Sequence, residues 1–392
     1  MFRKMPFVLI IVIAAVLLFN PFISYEMKQI FYAVSLTIKS LIIFLLPFII
    51  FGLLFKTMVS LARRATIVIL LILLCVCSSN VISTFLSHYV GEWVYHFDLS
   101  LVKPNGVQAL LPAWSWEFPK LIANDKAMLA GIVSGIALGI FQSKQVHLFA
   151  ERLDWIVLKI LASFAYLIPL FVAGFMVKLQ YDGVVQIIFK DYTLIFATIA
   201  LTLTAYLLFI YATLNHFNPI TTLNCVRNML PAAIAGFGAM SSAAAMPLTI
   251  VGAQGNAKNK DLARSIIPIT VNIHLMGDCF AIPIFAYAVM KSYGMAEPSL
   301  YTYLIFLGYF VVAKFSVAAV PGGGILVMLP VLESHLGFNA EMLSLITALY
   351  VLFDPVITCA NVLGNGAFAK LIDRLAQRWR RVKEPVPRTD IL

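Results

Sequence analysis

Charge is scarce in this chain. Asp, Glu, Lys and Arg make up 12% of its 392 residues, about half the share of a soluble domain. That excludes a protein whose surface lies mostly in water. Cysteine is scarce too: Cys75, Cys77, Cys225, Cys279 and Cys359 lie in or beside apolar stretches, and none forms a Cys-x-x-Cys pair. This excludes a disulfide framework and a thiolate metal site, so the five read as reduced core residues. The sequence offers no nucleophile–base set and no cluster of metal ligands. An intramembrane enzyme built on His274 and Asp278 therefore lacks the parts it needs. Long polar segments are also missing. Residues 91–126 are the one sizeable exception, and their Trp114 and Trp116 suit an outer membrane interface.

What is abundant is apolar. Hydrophobic residues make up 61%, and mean hydropathy is +0.94. Crossing a bilayer takes about 20 such residues in a row. Eight spans are expected, at roughly 6–25, 29–58, 65–90, 127–143, 154–178, 191–214, 262–291 and 340–372. Two more segments, roughly 221–255 and 300–336, are apolar but broken in the middle and read as re-entrant hairpins. The first break is Ser241-Ser242-Ala243-Ala244-Ala245-Met246-Pro247, the second Pro321-Gly322-Gly323-Gly324. Broken backbone at membrane depth is tolerated only where protein or a cavity satisfies it. The expected fold class is an all-α polytopic membrane protein with eight transmembrane helices plus two re-entrant helical hairpins.

The basic residues set the orientation. Arg3 and Lys4 precede the first span, and Lys56, Arg63 and Arg64 follow the second. Lys144 and Arg152 separate spans four and five, and Lys258, Lys260 and Arg264 precede the seventh. A run from Lys370 to Arg388 closes the chain. With a cytoplasmic N-terminus and eight crossings, every group is cytoplasmic. The net charge of +10 is thus a sign of topology, not of nucleic-acid binding. The first hairpin then enters from the cytoplasm and the second from outside, which points to an inverted repeat. The first segment reads as a retained span, because no small-x-small cleavage site follows it and Asn20-Pro21 reads as a loop. Residues 1–376 are expected to form the membrane domain, and 377–392 a basic, disordered cytoplasmic tail.

Ionisable groups inside spans are costly and functional by default. Here they are His274, Asp278, Lys314 and Asp354. In an intact helix His274 and Asp278 share one face, although Gly277 between them allows unwinding. Asp354 and Asn361 lie seven residues apart on one face, and Pro355 frees a carbonyl one turn earlier. Each has a plainer reading. His274 could be a core histidine, Lys314 could snorkel to the interface, and Asp354 could cap a broken helix. Asp278 and Lys314 could form a structural ion pair, and Ser241 and Ser242 could serve tight helix packing.

From Ala127 to Arg374, and more loosely before, the chain resembles the dicarboxylate/amino acid:cation symporter family, with its glutamate-transporter-like elevator fold. The likeness rests on Asn218-Pro219-Ile220, on Met240 through Pro247 as the serine-rich tip, on Val320 through Gly324 as the second tip, and on Asp354 through Asn365 as the last-span signature. The resemblance implies a homotrimer with elevator-type inverted repeats. Each protomer would hold a scaffold, approximately 1–60 and 127–190, and a moving transport part, approximately 61–90 and 191–376. It implies that Asp354 holds a solute's α-ammonium and Asn361 its α-carboxylate. Thr358, Ser241, Ser242, Asp278, Ile357 and the tip glycines Gly322, Gly323 and Gly324 would line the same site.

The departures from the family narrow the substrate. Ile357 stands where members that carry acidic substrates have an Arg, Met240 replaces the Arg before the serine tip, and Ala243 replaces a third Ser. A side-chain carboxylate there would be desolvated without a partner, which costs several kcal/mol. The expected solute is a small amino-acid-like molecule, neutral or cationic rather than acidic. A dicarboxylate carrier and an uncoupled, anion-conducting or sensing relative are the alternatives. The family's Asn-Met-Asp-Gly-Thr reads His274-Leu275-Met276-Gly277-Asp278, so a site acid becomes Met276 in register, and Asn365 replaces an acid in the last span. His274, Asp278, Lys314, Asn361 and Asn365 are the expected coupling residues, with a proton favoured over sodium. Neither a cofactor nor a fixed metal is expected. The partners are the solute, the bilayer and two further copies of the chain. Resemblance places the chain in a bacterial-type inner membrane.

Overall fold

The structure is a computed structural model describing residues 5–63, 67–97, 99, 110–119, 121–141, 143–183, 185–317 and 322–383. Among these the regular structure is helical: α1 Met5–Phe19, α2 Tyr25–Arg63, α3 Ile67–Tyr95, α4 Asn124–Ile140, α5 Lys144–Tyr181, α6 Val185–Leu214, α7 Pro219–Ala239, α8 Ser242–Asn256, α9 Lys260–Thr270, α10 Met276–Ser292, α11 Leu300–Lys314, α12 Gly323–Leu336 and α13 Ala340–Lys383. Three helical stretches, Leu71–Tyr95, Tyr192–Leu214 and Ala340–Gln377, are long and apolar enough to cross a bilayer, and several shorter helices are apolar.

Local sequence sets the helix ends. The Asn218 side chain accepts from Thr221 N at 3.1 Å with Pro219 at the first helical position, so α7 starts there. Ser241 accepts from Ala244 N at 3.2 Å and starts α8. Between them Met240 is left-handed, at φ 49°, which turns the chain back and makes the first hairpin. The second hairpin joins α11 to α12. Its tip includes Gly322, also left-handed at φ 71°, a conformation that favours glycine. Pro321, expected at this tip, lies outside the described residues.

Two expectations need correction. Span 262–291 is not one helix. It breaks between α9 and α10, and Thr270 O accepts from both Ile273 N and His274 N, at 2.9 and 2.8 Å. So His274 lies in the break and Asp278 in the first turn of α10, and they do not share a helix face. The tail, expected to be disordered from residue 377, is helical as far as Lys383, because α13 runs on. The residues there are good helix formers, and no proline intervenes before Pro385.

The helices pack in two groups. In one, α2 packs on α4 and α5, and α1 packs on α5. Gly131 and Gly135 let α4 press on α2: a Cβ at either would lie 2.9 Å from a carbonyl, of Phe51 and Phe55 respectively. The other side of α4 exposes Leu129, Val133, Ile136 and Ile140 at 44–64%. A stripe of that kind fits lipid or protein better than water. In the second group α3, α7, α8 and α12 surround α10 and α13. Of α10, every residue but Lys291 is buried.

Candidate functional site

Broken helices free backbone groups that must find partners. At the α9–α10 break three asparagines supply them. Asn80 Nδ2 donates to Ile273 O at 2.8 Å, and Asn365 Nδ2 donates to His274 O at 3.2 Å. Asn361 Oδ1 accepts from Gly277 N at 2.8 Å. Asn361 is engaged at both ends, since its Nδ2 donates to Asp278 Oδ2 at 2.8 Å. Removing its side chain would leave a buried N–H and a buried carboxylate oxygen short of a partner, each worth about 1–3 kcal/mol.

Asp278 is 2% exposed and is held on both oxygens. Tyr350 Oη donates to its Oδ1 at 2.5 Å. Lys314 Nζ stands 3.6 Å from the same oxygen. Lys314 itself is fully buried at the end of α11, with no hydrogen-bond partner, and its ammonium sits 4.7 Å from the centre of the Phe310 ring. The expected Asp278–Lys314 pair therefore forms, and Lys314 does not snorkel.

Asp354 is 3% exposed, one helical turn beyond Tyr350. Gly322 N donates to its Oδ2 at 2.9 Å, and Thr358 Oγ1 to its Oδ1 at 3.1 Å. Its carboxylate thus caps the second hairpin's tip. Helix α13 passes through Asp354-Pro355 unbroken, so the residue caps α12 and not its own helix. The tip approaches so closely because Gly324 lacks a side chain: a Cβ there would lie 2.1 Å from Asp278 Oδ1 and 2.4 Å from Tyr350 Oη. The first hairpin reaches the same stretch of α13, where a Cβ on Gly236 would lie 3.0 Å from Val362 and 3.4 Å from Thr358. Ser241 and Ser242 are buried near that hairpin's turn, and Ile357 is fully buried with the core.

His274 is placed apart from the carboxylates. Its Nε2 lies 2.9 Å from Ser79 Oγ, its ring packs on Phe368, and the Asn365 side chain bonds to the imidazole. Among the described residues no three His, Cys, Asp or Glu are grouped to hold a metal. A buried oxygen without a hydrogen-bond partner does, however, stand at the break: Asn80 Oδ1.

Sequence reasoning missed two features. Tyr350, which ties Asp278 down, lies four residues before Asp354, a spacing that marks one helix face. The other is a polar stripe on α3. Ser79, Ser83 and Ser87, with Asn80, Thr84 and His88, recur every four residues in an apolar segment. The stripe faces α6, α10 and α11: Ser83 lies 3.1 Å from Tyr206 Oη, Ser87 3.2 Å from Tyr303 Oη, and His88 2.6 Å from Tyr287 Oη.

Comparison with known proteins places this chain in a family. Residues 118–375 match the profile of the Sodium:dicarboxylate symporter family. Excitatory amino acid transporter 4 of Mus musculus is 28% identical over 178 residues, covering 45% of this chain and 30% of that protein. Excitatory amino acid transporter 1 of Ambystoma tigrinum is 26% identical over 288 residues, covering 70% and 48%. The chain spans half or less of the length of these relatives. Family and relatives alike are described as carriers, not enzymes. The chain belongs to the sodium:dicarboxylate symporter family.

Proposed function

We propose that the protein is a secondary-active symporter for a small neutral or cationic amino-acid-like solute. The observation that carries this reading is the buried Asp354 carboxylate, held by Gly322 N–H and the Thr358 hydroxyl at a hairpin tip beside a fully buried, uncharged Ile357. A carboxylate there suits an ammonium group. An apolar Ile357 offers nothing to a second carboxylate, which argues against glutamate and against a dicarboxylate. In this reading the protein is an elevator-type carrier with eight spans and two re-entrant hairpins, working as a homotrimer in a bacterial-type inner membrane with cytoplasmic termini. The scaffold would be approximately residues 1–60 and 127–190, and the transport part approximately 61–90 and 191–376. What supports that division is the packing of α2 on α4 and α5 on one side, and of α3, α7 and α8 on α10 and α13 on the other.

In this reading Lys314 supplies a tethered cation to Asp278, where sodium would otherwise neutralise the carboxylate. Proton movement on Lys314, with His274 as relay, then couples transport to a proton gradient. The unpartnered Asn80 oxygen favours a second reading, in which sodium is still bound at the break. Reconstituted liposomes with imposed gradients separate the two. Proton-driven uptake of a neutral amino acid, lost in Lys314→Met, is the expected result. Uptake driven by a sodium gradient at fixed pH, and indifferent to a proton gradient, overturns the coupling. So does full proton-driven uptake by Lys314→Met. Screening the purified protein for thermal stabilisation tests the substrate class: glutamate as the strongest stabiliser would overturn it.

A further inference from the structure

Away from the two carboxylates, the loops at the base of the first hairpin meet the far end of α13 around a cavity of about 500 Å³. Its lining includes Lys258, Lys370 and Arg374, with Asp373 as its one carboxylate. That carboxylate is already committed. It accepts from Lys258 N at 2.9 Å, Asn259 N at 3.1 Å and Gln377 Nε2 at 2.8 Å. Lys370 Nζ bonds to neutral acceptors, Asn215 Oδ1 at 2.6 Å and Cys225 Sγ at 2.9 Å. Among the described residues no ion pair engages Lys258, Lys370 or Arg374. At the lip His216 is left-handed, at φ 52°, and exposed.

We propose that this cavity is a binding site for a phosphate-bearing anion. Three cations, Lys258 and the pair Lys370 and Arg374 one turn apart on α13, line one space that holds a single carboxylate, and among the described residues no ion pair takes up the excess of positive charge. A guanidinium fork with two ammonium groups matches the oxygens of a phosphate. The volume lies within the usual range for small-molecule sites, about 300–1,000 Å³. The same chemistry is found in an anionic lipid headgroup and in a soluble phosphate. An occupant here ties Lys258, beyond α8, to α13. It would thereby hold the base of the first hairpin against the helix that carries Asp354, so binding can bias the hairpin. The proposal does not depend on the substrate or the coupling ion.

The test uses the purified full chain in detergent at constant ionic strength, with two probes: inorganic phosphate and dioctanoyl phosphatidylglycerol. Dioctanoyl phosphatidylcholine and chloride are the controls. Saturable binding of at least one probe is expected, at least tenfold weaker in the double variant Lys258→Gln/Arg374→Gln and recovered in Lys258→Arg/Arg374→Lys. Preference for phosphatidylglycerol identifies a headgroup site, and preference for inorganic phosphate a soluble ligand. The melting temperature without probe checks that the variants are folded, and the single variants Lys258→Gln and Arg374→Gln, each expected to weaken binding at least threefold, repeat the comparison if the double variant is not. The proposal is overturned if neither probe saturates, or if neutralising these cations leaves binding unchanged.

Discussion

Adding one methyl group at Gly324 should open the second hairpin. The Ala Cβ would start 2.1 Å from Asp278 Oδ1 and 2.4 Å from Tyr350 Oη. A carbon needs about 3.3 Å from an oxygen, so one of them must yield by roughly 1.2 Å. Asp278 cannot retreat cheaply, because Asn361 and Tyr350 hold both its oxygens. The start of α12 must move instead, taking Gly322 N away from Asp354. Overpacking of this kind costs about 1–3 kcal/mol, a factor of roughly 5–150 in an equilibrium. Hydrogen exchange of the tip amides, followed by mass spectrometry, reads that factor directly. Gly308→Ala is the control: the same change in α11 meets nothing within 4 Å and should be tolerated, or stabilise by up to about 1 kcal/mol. Equal tip protection in the two variants would refute the close-approach argument.

Two further substitutions test the proposed solute site. Asp354→Asn keeps an oxygen for Gly322 N but loses the charge, so tip protection should stay within about threefold of the parent while binding of α-amino solutes falls at least about 100-fold, the loss of roughly 3 kcal/mol for an unpaired ammonium; unchanged solute affinity would show that no ammonium is held there. Ile357→Arg puts a guanidinium at a fully buried position, so it should lower the melting temperature, and glutamate should restore that loss in the variant while leaving the parent unmoved; a variant indifferent to glutamate would count against this position as the selectivity determinant.

How much of this could be read from the sequence depended on where the cause lay. The two hairpin turns were legible because it is local: small residues with a proline at the first tip and a Pro-Gly-Gly-Gly run at the second. The break before α10 was legible only as an allowance at Gly277. What stabilises it comes from Asn80, Asn361 and Asn365, on helices distant in sequence. The amides stood in the sequence, but the carbonyls they serve did not. Asn361 shows the cost of that gap. Spacing puts it on one face with Asp354 and the family resemblance makes it a ligand there, whereas in this conformation both ends of its amide are engaged within the protein. The stripe on α3 was missed, although its four-residue repeat stands in the sequence, because the tyrosines it meets lie on other helices.

These engagements bear on how a solute could enter. Asp354, Asp278 and Asn361 are satisfied by the protein itself, so the site is self-complementary when closed. A solute ammonium reaching Asp354 must displace the Gly322 N–H or share the carboxylate with it. Each lost or gained bond to a charged group is worth about 1.5–3 kcal/mol, so the exchange is close to balanced. Near balance suits a carrier. A site that bound its solute far more tightly than its own tip would hold the hairpin open, and one far weaker would never admit the solute. The cap on α12 and the proposed solute ligand are one carboxylate, so the proposed binding at Asp354 would be coupled to movement of the second hairpin by competition for Oδ2, the oxygen that Gly322 N–H holds.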